Sequence, residues 1–331
     1  NPKKSRVAVM KTEVQRQIAK LRLPLFAAPM FLISGPELVI EVCKSGIVGA
    51  FPTPNARTTT ILDEWVTKIE DALDDGSDQS RSYAPYAANL VVHRTNKRFA
   101  ADLDVVVKHR VPIIITALGS PAKVVEPVQN YGGVVIADVN SVEYARKAAD
   151  TGVDGLALVC SGAGGHTGAL NPFAFVEEVR KFWDGYIVLA GAISSGAGIL
   201  ASVAAGADFA YMGTSFIATN ESLAEREYKQ MVVDCTAQDL MVTKAFTGAN
   251  ASFMIPSIVN QGLDPTDIAG KAAKLNYTGQ DGAEVKPWKG IWAAGQGLGC
   301  INKVQPVAQL VDDLVAEYST ASKRIKAISN L

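Results

Sequence analysis

The chain has 331 residues, of which 48% are hydrophobic and 20% are charged. This length and composition fit one globular domain with a large core and an embellishment better than two separate domains. The 32 Lys and Arg residues are balanced by 33 Asp and Glu residues. The formal net charge of −1 therefore argues against nucleic acid as a partner.

The cysteines and the N-terminal segment limit the cellular setting. Cys43, Cys160, Cys235 and Cys300 lie far apart in the chain, and no CxxC pair or Cys/His cluster has metal-site spacing. The first twenty residues carry charges throughout, unlike a signal peptide, and no window approaches the roughly 18 apolar residues of a membrane helix. We therefore expect reduced thiols, no bound metal, no membrane partner and a cytoplasmic protein.

Short runs of β-branched and apolar residues alternate with longer helical patterns along the chain, which is typical of βα units. The predicted strands are 25–28, 47–50, 87–92, 113–116, 134–138, 155–159, 187–190 and 209–212. Amphipathic stretches between them include 36–44, 60–74, 141–150, 172–182 and 196–205. The strands are nearly continuous apolar runs, as expected of a parallel sheet that is covered on both faces.

Eight such units close most economically as a (β/α)8 barrel, although a doubly wound open sheet is an alternative. No GxGxxG turn follows the first strand, where a dinucleotide-binding fold would have it. Glycine-rich turns instead follow strands seven and eight, where barrels commonly build a phosphate site. The sequence therefore favours the barrel.

The pattern changes after strand eight. Residues 221–231 are expected to form a barrel helix, but 234–287 shows no clear strand and is punctuated by Gly, Pro and Asn. The chain then returns through 292–299 and ends in an amphipathic helix over about 304–328. We predict a barrel formed by 1–234 and 289–331, with a mostly helical insertion, 235–288, over its mouth.

The turns after strands seven and eight, in IVLAGAISSGAG and FAYMGTSF, suit a phosphate group. A phosphate needs several backbone N–H groups directed at one point, little steric hindrance and, ideally, a helix N-terminus. Because two such turns occur on consecutive βα units, we interpret them as a binding site; ordinary strand-to-helix turns are the alternative interpretation. The candidate residues are Gly191, Ala192, Ser194, Ser195, Gly213 and Thr214.

The loop after strand six, SGAGGHTG, places His166 among Gly162, Gly164, Gly165 and Gly168. A glycine-rich backbone can approach a ligand closely, and an imidazole exchanges protons near neutral pH. The chain has only three histidines, so this one is the candidate catalytic residue. A helix-capping or loop-stabilising role is the alternative.

Other polar residues near predicted strand ends are weaker candidates. His93 and Gln296 are candidate substrate contacts, and Asn89 could contact a ligand ring or act as a buried structural amide. His109 precedes strand four and is expected to be a surface residue. Asp138 ends strand five, and we favour a helix N-cap role for it over a catalytic one.

Six segments of the chain, taken in order, resemble those of the nitronate monooxygenases. They are the AAPM strand, the NLVV strand, the SGAGGHTG loop, the AGAISSGAG turn, the YMGTSF turn and the WAAGQGLG segment. This family was formerly called 2-nitropropane dioxygenases, and its FMN barrels are related to enoyl reductases. The similarity extends from about residue 20 to residue 300. It implies an FMN barrel that uses O2 to oxidise alkyl nitronates to a carbonyl compound and nitrite, with nitroalkanes as a further candidate substrate.

The resemblance also implies roles for individual residues. His166 matches the catalytic histidine, and the remaining matches are cofactor contacts: Ala28, Pro29 and Met30 along the flavin ring, Asn89 and Gly164 against it, and Ala192, Gly213 and Thr214 at its phosphate. Three positions depart from the pattern. Many members have Gln at the position of Val159, a second Gly at that of Ala192 and an Asp-Gly-Arg sequence at 195–197, so more of the cofactor's contacts should come from backbone.

Relatives on this scaffold reduce quinones or enoyl thioesters with NAD(P)H, and such a flavin reductase is the main alternative function. A barrel acting on a phosphorylated metabolite by aldol or isomerase chemistry would need Lys or paired carboxylates at strand ends. The predicted strand ends carry no Lys and a single carboxylate, Asp138, so this requirement is not met. A non-enzymatic binding protein is a further alternative. The sequence does not assign an oligomeric state.

Overall fold

The computed structural model describes residues 12–74, 83–273 and 290–329. Strands and helices alternate along most of this length, and the strands are rich in β-branched residues. The barrel strands are β1 Leu25–Ala27, β2 Val48–Pro52, β3 Tyr86–Val91, β4 Ile113–Ala117, β5 Val134–Val139, β6 Gly155–Val159, β8 Tyr186–Ala190 and β9 Phe209–Met212. A short strand β7, Gly165–His166, lies between β6 and β8.

The helices of the barrel surround these strands. They are α1 Glu13–Ile18, α2 Pro36–Lys44, α3 Thr59–Leu73, α4 Phe99–Lys108, α5 Ala122–Gln129, α6 Val142–Ala149, α7 Pro172–Arg180, α8 Gly196–Ala204, α9 Thr214–Ile217, α10 Arg226–Asp234 and α13 Val307–Ser329. The helix predicted over 221–231 begins later, at Arg226, and the Glu221 carboxylate accepts the N–H of Val307 at the start of α13.

The eight barrel strands are parallel and close in the order β1-β2-β3-β4-β5-β6-β8-β9, with β9 pairing back onto β1. The predicted (β/α)8 barrel is therefore confirmed, and the predicted strands lie within two residues of those in the structure. Alternate strand residues fill the interior, among them Phe26, Ile113, Ile136 and Phe209. This is the packing expected of a barrel whose inside is a core and not a pore.

The C-terminal helix α13 completes the outer ring. Its Val307, Val311 and Leu314 are buried with Leu38 of α2 and Ile199 of α8. The chain thus leaves the barrel after β9 and returns to cover the seam between its first and last units.

The segment between α10 and the return, in which no clear strand was expected, contains two strands, so that expectation was wrong. These are β10 Leu240–Thr243 and β11 Ala251–Met254, followed by the short helices α11 Ile255–Asn260 and α12 Pro265–Ile268. β10 and β11 form an antiparallel sheet with β7. Four-residue strands are too short to show a hydrophobic period, and the partner of β11 lies about 85 residues earlier in the chain. Residues 274–288 of the predicted insertion lie outside the described residues, so its boundaries stay a prediction.

Among the described residues, no helix has the length and apolar character needed to cross a membrane. The same part of the chain has no cluster of His, Cys, Asp or Glu placed to hold a metal ion.

His109, expected to be a surface residue, is instead an ion-pairing residue between two helices. Its Nε2 and Nδ1 atoms lie 2.8 Å from Asp63 and 2.8 Å from Glu70 of α3, and its side chain is 11% exposed. Burial acts to lower the pKa of His109, but the two carboxylates outweigh this effect and the pKa is raised.

We expect His109→Gln to lower the melting temperature by about 3 °C at pH 6 and by less at pH 9. The reason is that a raised pKa in the folded state stabilises the protein below the ordinary histidine pKa, and this contribution is lost as pH rises through the folded-state value. Thermal unfolding at both pH values measures the difference. His93→Gln is the matched control, because the His93 ring bonds only within its own loop, to Thr95. Equal losses at both pH values would contradict the ion pair.

Candidate active site

The barrel opens at the C-terminal ends of its strands. Ala28, Asp138 and Val159 are partly exposed there, whereas Phe26, Ile136 and Ala157, two residues earlier on the same strands, are buried. Because side chains two apart on a strand share a face, all six face the barrel interior. The interior is therefore filled below this level and open above it, as at the catalytic end of other (β/α)8 barrels.

The turn after β8 contains two consecutive residues with positive φ angles, only one of which is a glycine. Gly191 has φ +141°, and Ala192 has φ +56°, a left-handed conformation that disfavours a side chain. The N–H of Ala192 donates to the carbonyl of Gly162 at 3.2 Å. The N–H of Ala192, which sequence reasoning assigned to a phosphate, therefore links the turn after β8 to the loop after β6. The N–H of Ser194 donates to no described residue.

The N-terminus of α8 is already occupied by protein groups. Ser195 caps the helix by accepting the N–H of Gly198, and Glu317 of α13 accepts the N–H of Gly196 at 2.7 Å. Gly196 is also buried against α13, where a Cβ would lie 2.2 Å from the Tyr318 nitrogen. The expectation that this helix end supplies charge to a phosphate is therefore not supported. The role of Glu317 could not be predicted from the sequence around α8, because Glu317 lies more than a hundred residues further along the chain.

The loop after β6 and the return segment pack backbone against backbone. Gly162 accepts the N–H of Gln296 at 2.9 Å, and the N–H of Gly295 donates to the Thr214 hydroxyl at 2.9 Å. A Cβ on Gly164 would lie 2.7 Å from the Gly295 nitrogen. The structure thus brings together Gly164, Thr214 and Gln296 from three separate segments.

A stacked aromatic pair fixes this return segment. The rings of Tyr228 and Trp292 are 5.0 Å apart and nearly parallel, at 3°. The Tyr228 hydroxyl donates to the Ala293 carbonyl and accepts the Ala293 N–H at 3.1 Å. Gln296, four residues after the stacked Trp292, is exposed at the mouth.

His166 lies in β7, with Ala251 of β11 as its cross-strand partner. Its imidazole has no hydrogen-bond partner among the described residues, and the residue remains exposed. Surrounding protein atoms nonetheless remove part of its hydration and lower its pKa, so the ring is neutral at pH 7. An exposed imidazole with reduced hydration and no partner among the described residues can accept a proton.

The loop after β1 is held by a residue that sequence reasoning missed. Asn55 donates to the carbonyls of Met30 and Ser34 and accepts the N–H of Leu32, and it is only 7% exposed. A Cβ on Gly213 would lie 3.4 Å from Met30 Sδ and 3.5 Å from Ala28 Cβ. Ala28, Pro29, Met30 and Gly213 therefore form one wall of the mouth. The N–H of Gly213 donates to no described residue.

Asn89 and His93 lie on and after β3. The Asn89 amide is buried and donates to the Ile115 carbonyl at 3.4 Å, and its position in β3 directs it to the barrel interior. The His93 ring is 2.8 Å from Thr95 Oγ1. No hydrogen bond joins either side chain to His166 within the described residues.

Asp138 is not a helix cap, and our preference for that role was wrong. The cap of α6 is Ser141, whose hydroxyl accepts the N–H of Tyr144 at 3.2 Å. Asp138 instead belongs to β5 and faces the interior at the level of the mouth. Within the described part of the chain, its Oδ1 atom is buried without a hydrogen-bond partner, as is the hydroxyl of Tyr211 on β9. Tyr211 was not a sequence candidate, because a tyrosine in an apolar strand resembles core.

The closed parallel barrel carries glycine-rich loops and the His166 imidazole at the C-terminal ends of its strands, where (β/α)8 enzymes have their active sites. The family model of nitronate monooxygenase matches residues 12–317. The chain belongs to the nitronate monooxygenase family.

Individual relatives are distant. A Rhodococcus jostii (3aS,4S,5R,7aS)-5-hydroxy-7a-methyl-1-oxo-octahydro-1H-indene-4-carboxyl-CoA dehydrogenase is 23% identical, over 95% of this chain and 97% of its own. The structure of FabK from Thermotoga maritima aligns with a TM-score of 0.76 at 21% identity, over 97% of this chain and 100% of that chain. The nitroalkane oxidase of Streptomyces ansochromogenes aligns with a TM-score of 0.75 at 22% identity, over 93% and 99%. At these identities the two structures support the fold.

Proposed function

We propose that the protein binds FMN at the barrel mouth and uses it to oxidise alkyl nitronates with O2, giving a carbonyl compound and nitrite. The observation that carries the proposal is the packing at the mouth, where Gly213 contacts Met30 and the return segment before Gln296 packs against Gly164 of the loop that carries His166. A bound flavin would supply the electron transfer between nitronate and O2.

The residues present fit such a group. The unpaired N–H groups of Ser194 and Gly213, with Thr214 and Gly191 beside them, would hold the phosphate. Ala28, Pro29 and Met30 would border the ring, with Asn89, Gly164, Gly165 and Ala192 nearby. Because α8 is capped by Glu317, the phosphate would depend on the β8 and β9 turns and not on that helix end.

His166 would act on the substrate. A neutral imidazole can remove the α-proton of a neutral nitroalkane, and it can donate a hydrogen bond to the oxygens of a nitronate. His93 and Gln296 are proposed substrate contacts at the rim.

We expect His166→Asn to lower nitroalkane turnover by about two to four orders of magnitude, which is the usual contribution of general acid–base catalysis. Nitronate turnover should fall much less, since that substrate is already deprotonated. Oxygen consumption with each substrate, at matched flavin content, measures the two losses. Unchanged nitroalkane turnover would rule out the role of His166.

The cofactor assignment is tested by the absorption spectrum of the purified protein and by mass spectrometry of any released flavin. Anaerobic addition of a nitronate should bleach the flavin, whereas NADH alone should not. A colourless protein that cannot take up FMN would refute the proposal.

A second candidate is flavin-dependent oxidation or reduction of an acyl thioester. It is favoured by the Rhodococcus relative, a carboxyl-CoA dehydrogenase that aligns with nearly the whole chain at 95% coverage. It also matches the NAD(P)H-dependent reductase that the sequence left open. Rapid bleaching by NADH, followed by reoxidation with an enoyl thioester, would favour this candidate.

A further inference from the structure

The proposed chemistry does not use two polar side chains in the barrel interior. Asp138 Oδ1 and the Tyr211 hydroxyl are both buried, and neither has a hydrogen-bond partner among the residues that the structure describes. Buried polar atoms in native proteins are nearly always paired with protein, with water or with a ligand. Two unpaired atoms in one region therefore indicate a polar occupant.

The two side chains face the same space. Tyr211 belongs to the interior cluster of the barrel with Ile136, and Asp138 lies two residues after Ile136 on the same strand. Between β5 and β9, the interior is lined by the small residues Ala157 of β6 and Ala190 of β8. Burial first, and then the charge of Asp138, raises the pKa of Tyr211. The hydroxyl and the carboxyl are thus close enough to interact, although no direct hydrogen bond joins them.

Few other groups act on Asp138. The neighbouring strand β4 presents Ile115 and Ala117 to the interior, and β6 presents Ala157 and Val159. Burial alone raises the pKa of Asp138, to about 7, and no charged group among the described residues contributes. Tyr211 is therefore its polar neighbour, and the carboxyl is half-protonated near neutral pH.

We propose that Asp138 and Tyr211 form a second ionisable site in the floor of the mouth, and that Asp138 takes up a proton when the flavin covers it. The inference rests on the proposed function in one respect, namely that the group that binds over Asp138 is the flavin. Asp138 is partly exposed at the open mouth, so a bound ring would remove its remaining water. Removing water disfavours the charged form of a carboxyl and therefore promotes protonation.

Protonation would also suit an anionic substrate. A carboxylate in the floor would repel a nitronate, whereas a carboxylic acid is uncharged and can donate one hydrogen bond. Asp138 would thus remove a negative charge from the site when the cofactor is in place.

The test measures protons and does not depend on turnover. Calorimetric titration of the apoprotein with FMN, in two buffers of different ionisation enthalpy, gives the number of protons taken up on binding. At pH 7.5 we expect the wild type to take up about half a proton or more beyond Asp138→Asn. Protonation of the FMN phosphate is common to both proteins and cancels in this difference. Equal proton uptake in the two proteins would overturn the proposal.

Tyr211→Phe provides a second variant that keeps the carboxyl. The number of protons that this variant takes up on FMN binding should lie between the numbers for the wild type and Asp138→Asn. The reason is that loss of the polar hydroxyl leaves Asp138 more protonated before FMN binds. Uptake equal to that of the wild type would remove Tyr211 from the site. Tyr228→Phe is the control, since the Tyr228 hydroxyl is bonded to Ala293 in a different part of the mouth.

An infrared measurement separates this proposal from the flavin assignment. The wild-type minus Asp138→Asn spectrum of the free protein should contain a protonated-carboxyl band that disappears as pH rises through about 7. If FMN does not bind, the proposed function fails, but this band still reports on Asp138. Absence of the band at every pH from acidic to basic would overturn the ionisable site.

Discussion

Replacing Gly164 by alanine is expected to lower the free energy of unfolding by about 2 kcal/mol and to weaken flavin binding about tenfold or more. The new Cβ would lie 2.7 Å from the Gly295 nitrogen and 2.8 Å from the Ala294 carbonyl carbon. Both are backbone atoms, so no side-chain rotation relieves the contact. The return segment would be displaced, and with it the bond from Gly295 to Thr214.

Urea denaturation and fluorescence titration with FMN measure the two effects. Gly299→Ala is the matched control in the same return segment, because a Cβ there meets no atom within 4 Å. It should leave both quantities nearly unchanged. A Gly164→Ala protein as stable as the control, with the same affinity for FMN, would contradict the backbone packing described for the mouth.

Replacing Asn55 by alanine is expected to cost about 3 kcal/mol of stability, since its buried side chain makes three hydrogen bonds, each contributing about 1 kcal/mol. The loss has a local consequence as well. Leu32 has φ +65°, and its N–H is bonded to Asn55, so this strained turn would lose its main constraint. The Met30 wall of the mouth should then become disordered.

Hydrogen exchange of the 30–34 loop and FMN affinity report on this wall, and urea denaturation reports on stability. Asn140→Ala is the control, because Asn140 is exposed and its side chain makes no hydrogen bond among the described residues. Preserved protection of the Leu32 amide in Asn55→Ala would show that Asn55 does not hold the loop.

The barrel could be predicted because its signals are local and repeated. Each strand is an apolar run long enough to recognise, and β6 and β9 have the bounds expected from sequence. The small sheet of β7, β10 and β11 could not be predicted, since its strands have two to four residues and pair across a long stretch of chain. Pairing of that kind leaves no periodic trace in the sequence.

The candidate site divides in the same way. Glycine-rich turns and His166 were found because composition alone marks them. Asn55, Tyr211 and Glu317 were missed because their importance lies in contacts between distant segments. Ala192 was also predicted, but as a residue whose N–H binds the phosphate, whereas in the structure that N–H donates to the Gly162 carbonyl. Residue type predicted where the mouth lies, but not which of its polar atoms are already paired.

The pairing of β7 with β11 has a consequence for engineering and for divergence within the family. Through the Ala251 and His166 pair, the segment that contains β10 and β11 is joined to the loop carrying the imidazole. A graft of this segment from a relative would therefore change substrate selection and the reach of the histidine in one step. Attempts to alter selectivity alone should keep 251–252 and vary the distal face of the small sheet.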